Sequence, residues 1–177
     1  MSQPIELPLE TARLSIRPLT RSDAVALHEL SSDPVAMQYP TSDLPATIEE
    51  SAQWVQDKID LHERTGLSLW AVVEKGSGRV VGDAGLQRLD NGGTAEIAAR
   101  IMRSRWGRGY GCEAATAHLD AGFGRLSLDR IIGITAPGNA TAIAAMVELG
   151  MTCEGLEEHF GRTWVVYVAH RERTVAS

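Results

Sequence analysis

The chain predicts an α/β domain in which helices cover a mixed β-sheet. Three observations carry that expectation. Two segments open on capping boxes and continue with helical spacing of apolar residues. Several others alternate or concentrate apolar residues in the manner of strands. The two kinds interleave in the order β-α-α-β-β-β-α-β-α-β-β, which suits helices packed on the faces of one sheet.

The elements follow in order. "ARLSIRPL" (12–19) alternates Leu14 and Ile16 with Arg13, Ser15 and Arg17, the period of a half-buried strand. "TRSD" then supplies Thr20 as N-cap and Asp23 three residues on, opening a helix with Ala24, Leu27 and Leu30 on one face. A second helix starts at Thr47, with Glu50 closing its capping box and Ile48, Ala52, Val55 and Ile59 on its apolar face. Gly66 stops it. "SLWAVVEK" and "RVVGDAGLQRL" read as strands joined by "GSG"; "DNGG" makes the next turn, and "TAEIAARIMR" reads as another strand. An Ala-rich helix over roughly 111–124 has side chains small enough to lie close against a sheet. "DRIIGITA" is almost continuously apolar, as a strand buried on both faces is. Asn139 caps a helix carrying Ala142, Ile143, Met146 and Leu149, and Gly150 ends it. "MTCEGLEEHF" and "RTWVVYVAH" predict a terminal hairpin. No repeat or linker divides residues 1–177, so one domain is expected, with mobile ends at about 1–10 and 171–177.

Composition narrows the function. Hydrophobic residues make up 44% and charged residues 23% of 177 positions, ordinary for a water-soluble fold. No apolar run approaches the roughly 20 residues that span a bilayer, and "MSQPIELPLE" lacks the regions of a signal peptide. Cys112 and Cys153 are too few for a disulfide framework, which points to reduced thiols and a cytoplasmic location. A formal charge of −6 argues against a broad nucleic-acid surface.

"RWGRGYGCEA" (105–114) is the stretch that carries chemistry. A Walker A loop needs Lys and Ser/Thr after its last glycine, but Gly111 is followed by Cys112 and Glu113. "GYGCEA" matches the dinucleotide fingerprint on paper, yet the acid about 20 residues on, Asp129, begins the next strand instead of ending it. The remaining reading is a metal-free anion site: backbone N–H groups of "RGYG" at a helix N-terminus, suited to a pyrophosphate. Arg100, Arg103, Arg105 and Arg108 add four positive charges within nine residues. A glycine-rich turn with solvated arginines would look the same from this stretch alone.

At this point the residues resemble a family. "AEIAARIMRSRWGRGYGCEA" is similar to motif A of the GNAT superfamily of N-acetyltransferases, and most to the RimJ/RimL branch that acetylates ribosomal-protein N-termini. "RLSIRPL", "VVGDAGL" and "NATAIAAMVELGM" agree in the same order, so the resemblance covers roughly residues 12–168.

The resemblance implies a GNAT-type mixed, mostly antiparallel twisted sheet of about seven strands flanked by four helices. It implies acetyl-CoA as co-substrate, no metal, and a primary amine as acceptor, attacking the thioester directly through a tetrahedral intermediate. Neither nucleic acid nor membrane is implied as a partner, and a homodimer is compatible. Carried over by position, the backbone of Ile101, Met102 and Arg103 would pair with the pantetheine arm. Arg108, Gly109, Tyr110, Gly111 and Cys112 would cradle the pyrophosphate, and Asn139 would reach the arm. Glu96, the only acid in the strand before the loop, matches the family's strand glutamate and is the candidate base. Its alternative is a structural hydrogen bond. Ala142 and Met146 stand where many relatives have serine and tyrosine, leaving Tyr167 or water to protonate the departing thiolate. Cys112 invites a nucleophile reading, because a helix N-terminus lowers a thiol's pKa, but direct transfer makes packing the better one.

The acceptor divides the readings further. An α-amine with pKa about 8 is roughly a tenth neutral at pH 7, against less than about 0.1% for a lysine near 10.4. A protein N-terminus therefore needs only a weak base. An antibiotic or polyamine acceptor, and a CoA-binding sensor without turnover, are the alternatives. Glu154, Glu157, Glu158 and His159 read as a solvated face, and Trp54, Trp70 and Trp164 as core or pocket wall.

Overall fold

In the computed structural model, residues 3–40, 44–89 and 93–171 are described. β1 (Leu9–Glu10) and β2 (Leu14–Arg17) lead through a 3-10 turn, Arg21–Asp23, into α1 (Ala24–Ser31). Next come α2 (Ile48–Thr65), β3 (Ser68–Glu74), β4 (Arg79–Arg88) and β5 (Ala95–Ile101). A 3-10 turn, Arg103–Arg105, precedes α3 (Tyr110–Gly124), β6 (Arg130–Thr135), α4 (Ala140–Glu148), β7 (Thr152–His159) and β8 (Arg162–His170).

Local chemistry sets the boundaries. The Asp23 carboxylate accepts from the Thr20 N–H at 2.7 Å, and Thr47 Oγ1 accepts from the Glu50 N–H at 3.1 Å, so both capping boxes form. Asn139 Oδ1 accepts from the Ala142 N–H at 3.2 Å and starts α4. On α2 the buried positions are Ser51 and Val55, with Ile59 and Trp54 beside them, while Ile48 is exposed. The buried stripe is thus rotated from the expected one, because Ser51 faces His28 of α1 and its Oγ lies 2.8 Å from His28 Nδ1.

One eight-stranded sheet runs in the order β1-β2-β3-β4-β5-β6-β8-β7. Every neighbouring pair is antiparallel except β5 and β6. The sheet exceeds the expected seven strands by β1, which is only two residues long and too short to show a period. Within the first ten residues the described part makes defined contacts. Leu9 and Glu10 pair with Ile16 and Ser15, Ile5 is buried, and the Gln3 N–H donates to the Arg125 carbonyl. The turn at 90–92 and the tail from 172 lie outside the described residues. No described helix is long and apolar enough to cross a membrane.

Two layers of helix enclose the sheet. Tyr110, Ala114 and Leu119 of α3 and Met146 of α4 pack on Ile16, Trp70, Leu86, Ile97, Ile131 and Tyr167. Leu27 and Leu30 of α1 and Val55 of α2 pack on Ala71 and Met102, on the opposite face. α3 and α4 each follow one strand of the parallel pair, so both helices begin at the same end of the sheet. That end is where a ligand site is expected in a parallel arrangement.

Candidate active site

β5 and β6 are in register at one position only, Glu96 against Ile132. β5 nevertheless continues to Ile101 and β6 to Thr135, so the two strands part beyond Glu96 and leave a fork in the sheet. The backbone facing this fork follows from the ladder with β4. The Met102 N–H donates to the Val81 carbonyl at 2.8 Å, beside the opposed pair Gly82 and Ile101. Antiparallel residues alternate between facing their partner strand and facing away. The N–H and C=O of Ile101, and of Ala99 two residues earlier, therefore point into the fork. Met102 does not serve there: its N–H is held by Val81, and its carbonyl accepts from the Arg105 N–H at 2.8 Å. The Arg103 carbonyl likewise accepts from the Trp106 N–H at 3.1 Å, closing the 3-10 turn. The Ile101 carbonyl already accepts from Trp106 Nε1 at 2.7 Å, which leaves its N–H toward the opening.

The glycine loop presents backbone. Gly107 and Gly109 have φ of 73° and 75°, a left-handed conformation that L side chains rarely adopt. Gly109 caps α3 with no side-chain hydrogen bond, so the N–H groups of Tyr110, Gly111 and Cys112 head the helix uncapped. A Cβ on Gly109 would stand 3.6 Å from Arg13 Nη2, and one on Gly111 would stand 3.8 Å from Ile101 Cγ1. The cradle is consequently open, polar and aligned with a helix dipole, which fits a pyrophosphate.

The arginines behave differently from the sequence expectation. Each is paired with an acid brought in from another element: Arg100 with Asp83, Arg103 with Asp33 at 3.0 Å, and Arg105 with Glu74 at 3.2 Å. Arg108 approaches Glu74 at 3.5 Å. Glu74 is the hub, since it also accepts from Ser77 Oγ at 2.6 Å and from the Tyr110 hydroxyl at 2.8 Å. The Ser77 and Tyr110 hydroxyls, with Arg105 behind them, hold its carboxyl at a pKa of about 2. Tyr110 thus points away from the cradle and contributes only its N–H. Arg13, which the sequence did not single out, fastens the loop from β2. Its Nη1 donates to the Arg108 carbonyl at 2.7 Å, and its guanidinium pairs with Glu113 at 2.6 Å. Arg108 itself is half exposed beside the cradle.

The remaining candidates are placed as follows. Glu96 is buried at the base of the fork, where its Oε2 accepts from Gln87 Nε2 at 3.1 Å. Gln87 is its directly opposed residue on β4. Tyr167 is also buried, but it neighbours Val168, the residue registered with Ile132. Side chains alternate along a strand, so Tyr167 and Glu96 lie on opposite faces of the sheet. Asn139 Nδ2 donates to Thr135 Oγ1 at 2.9 Å, so its amide ties the start of α4 to the end of β6. Cys112 is turned toward α4: its Sγ lies 3.6 Å from Glu148 Oε2, and burial with that carboxylate raises its pKa. Glu154 pairs with Arg130, Glu157 with His159, and Glu158 accepts from Thr163, all on an exposed surface. Trp70 and Trp164 are core residues. Among the described residues no group of His, Cys, Asp or Glu is arranged to hold a metal ion.

The strand fork thus lies directly beside a glycine-headed helix with uncapped N–H groups. The acetyltransferase (GNAT) domain model matches residues 13–152. The chain belongs to the GNAT family. The acetyltransferase is similar to the uncharacterized N-acetyltransferase p20 of Bacillus licheniformis, at 30% identity over 90% of this chain and 93% of that one. Its fold is similar to a GNAT-family acetyltransferase from Bacillus anthracis, with TM-score 0.79 and 26% identity over 91% and 96% of the two chains. It is similar too to RimL, an α-N-protein acetyltransferase of a ribosomal protein, solved with coenzyme A. That likeness has TM-score 0.76 and 21% identity over 95% and 98% of the chains, and shows the fold. The protein is accordingly an acetyl-CoA-dependent N-acetyltransferase that acts on an amine.

Proposed function

We propose that the acceptor is an α-amine at a protein N-terminus, and that Glu96 takes its proton. The observation that carries this reading is a single buried carboxylate at the point where β5 and β6 part. One such base is enough for an amine already about a tenth neutral at pH 7, and it is poorly matched to a lysine-like amine. RimL, the fold neighbour that acetylates a protein α-amine, makes the same class of acceptor reasonable here.

The donor lies along the fork. Acetyl-CoA supplies an activated acyl group; the protein's part is to bind, orient and move protons. The N–H groups of Arg108, Gly109, Tyr110, Gly111 and Cys112 hold the pyrophosphate, with Arg108 as the adjacent cation. Ala99 pairs with an amide of the pantetheine arm as an added strand would, and Asn139 sets the far wall through α4. The Ile101 N–H faces the opening and donates to the developing oxyanion. Glu96 receives the ammonium proton on the α1–α2 face, and Tyr167 stands on the α3–α4 face for the departing thiolate. Acid and base are thereby separated by the sheet itself. Most of the rate comes from holding amine and thioester together, so these few groups suffice.

Thiol release from acetyl-CoA across peptides with free N-termini, N-acetylated lysine peptides and polyamines tests the acceptor. Turnover is expected with free N-termini. Turnover confined to lysine side chains or polyamines would overturn the proposal.

A further inference from the structure

Glu96 does not stand alone on its face of the sheet. Gln87 Nε2 donates to Glu96 Oε2 at 3.1 Å, and Lys58 Nζ donates to Gln87 Oε1 at 3.3 Å. Lys58 comes from α2, where Ser68 Oγ of β3 donates to its carbonyl at 2.8 Å and pins that turn of helix to the sheet. Its ammonium lies 5.4 Å from the Trp54 ring centroid, and Arg100 lies 4.8 Å from the same ring.

The order of groups fixes the orientation of the amide. An ammonium has donors only and an ionised carboxylate has acceptors only. A glutamine between them has one satisfactory orientation, with its carbonyl toward Lys58 and its NH2 toward Glu96. Without the ammonium, the amide could turn its carbonyl to Glu96, an arrangement that favours a protonated carboxyl. We propose that Lys58 and Gln87 are positioning residues for the transfer reaction: the Lys58 ammonium orients the Gln87 amide, and the amide holds Glu96 ionised and aimed at the fork.

Other described charges share this face of the sheet. Asp83 and Arg100, on the same face of β4 and β5, form a two-bonded ion pair with each other. β6 contributes the uncharged Ile132 opposite Glu96, and the Arg130 two residues earlier pairs with Glu154. On α2, Asp57 is the further charge acting on Lys58. Burial, and then the charge of Arg100, lower the pKa of Lys58, as befits a cation drawn partly out of water for a neighbouring carboxylate.

This inference rests on Glu96 being the base, and a test without acceptor keeps the two separable. The carboxyl carbon of Glu96 is followed by NMR through a pH titration of the free enzyme, assigned by its loss in Glu96→Gln. In Lys58→Met the midpoint is expected to rise by about one pH unit, the size of effect that loss of a nearby opposite charge produces. Gln87→Met should raise it as well, and Lys58→Arg should restore it. Should Lys58→Met fail to fold, Gln87→Met and Lys58→Arg still decide. An unmoved midpoint in folded Lys58→Met or Gln87→Met would show that the pair merely fastens α2 to the sheet. The turnover of Glu96→Gln, measured separately, decides whether Glu96 is the base at all.

Discussion

The loop at 105–112 and the base of the fork at Glu96 solve opposite problems with similar residues. Around the loop, side chains are drawn backward. Arg105 and Tyr110 bind Glu74, Arg13 binds Glu113 and the Arg108 carbonyl, and what remains at the surface is bare N–H beside the half-exposed Arg108. Around Glu96, side chains are drawn inward, and the working group is a carboxylate held by an amide that is held in turn by an ammonium. On the proposed mechanism, the charged residues behind the loop shape its backbone, and those behind Glu96 set its proton affinity.

The comparison can be broken first at the loop. Gly109→Trp forces a large side chain into a left-handed position at the mouth of the cradle. Acetyl-CoA affinity is expected to fall by about a hundredfold or more by calorimetry, and retained affinity would remove the loop from the site. Glu74→Gln tests the hub. With Arg105, Arg108 and Tyr110 released, KM for acetyl-CoA should rise on the order of tenfold with kcat little changed, because ground state and transition state lose the same binding. A fall in kcat alone would contradict the backbone-shaping role. Arg13→Ala, which loosens the loop from one side, should raise the same KM by about threefold.

Stability against pH sharpens the contrast at a smaller scale. His118 of α3 is fully buried beside Trp70, its Nδ1 is 2.8 Å from the Ala114 carbonyl, and burial lowers its pKa from 6.5 to about 4. Between those values the unfolded chain binds a proton that the folded chain does not, so stability is full above pH 6.5 and falls toward pH 4. Glu74, lowered from 4.5 to about 2, adds stability that is present above pH 4.5 and lost toward pH 2. Thermal melts should decline in the first window for the native protein and not for a folded His118→Leu. Glu74→Gln should still decline there and show a shallower fall below pH 4.5, where the lowered carboxyls of Asp23 and Glu113 continue to contribute.

Much of this architecture was legible in the sequence. Both capping boxes, the start of α3 next to Gly109, the Asn139 cap and the final hairpin follow from local chemistry that a few adjacent residues supply. The backbone of the loop was legible for the same reason, since adjacent glycines at 107 and 109 supply its left-handed turns and its uncapped N–H groups. The pairing of the arginines was hidden, because Asp33, Glu74 and Asp83 arrive from other elements through the sheet. Glu74 and Asp83 do carry a faint signal as acids in otherwise apolar strands. The phase of the β4–β5 ladder, which turns Ile101 rather than Met102 into the fork, depends on a register no local pattern states. Lys58 and Gln87 lie 38 and 9 residues from Glu96 in the chain, on elements whose meeting is decided by packing.

In the proposed mechanism the loop holds the donor while Glu96 does the proton chemistry. Glu96→Gln measures both at once, through kcat with a free N-terminal peptide and acetyl-CoA affinity by calorimetry. A fall in kcat of about a hundredfold or more is expected, with affinity nearly unchanged. Undiminished turnover would contradict it.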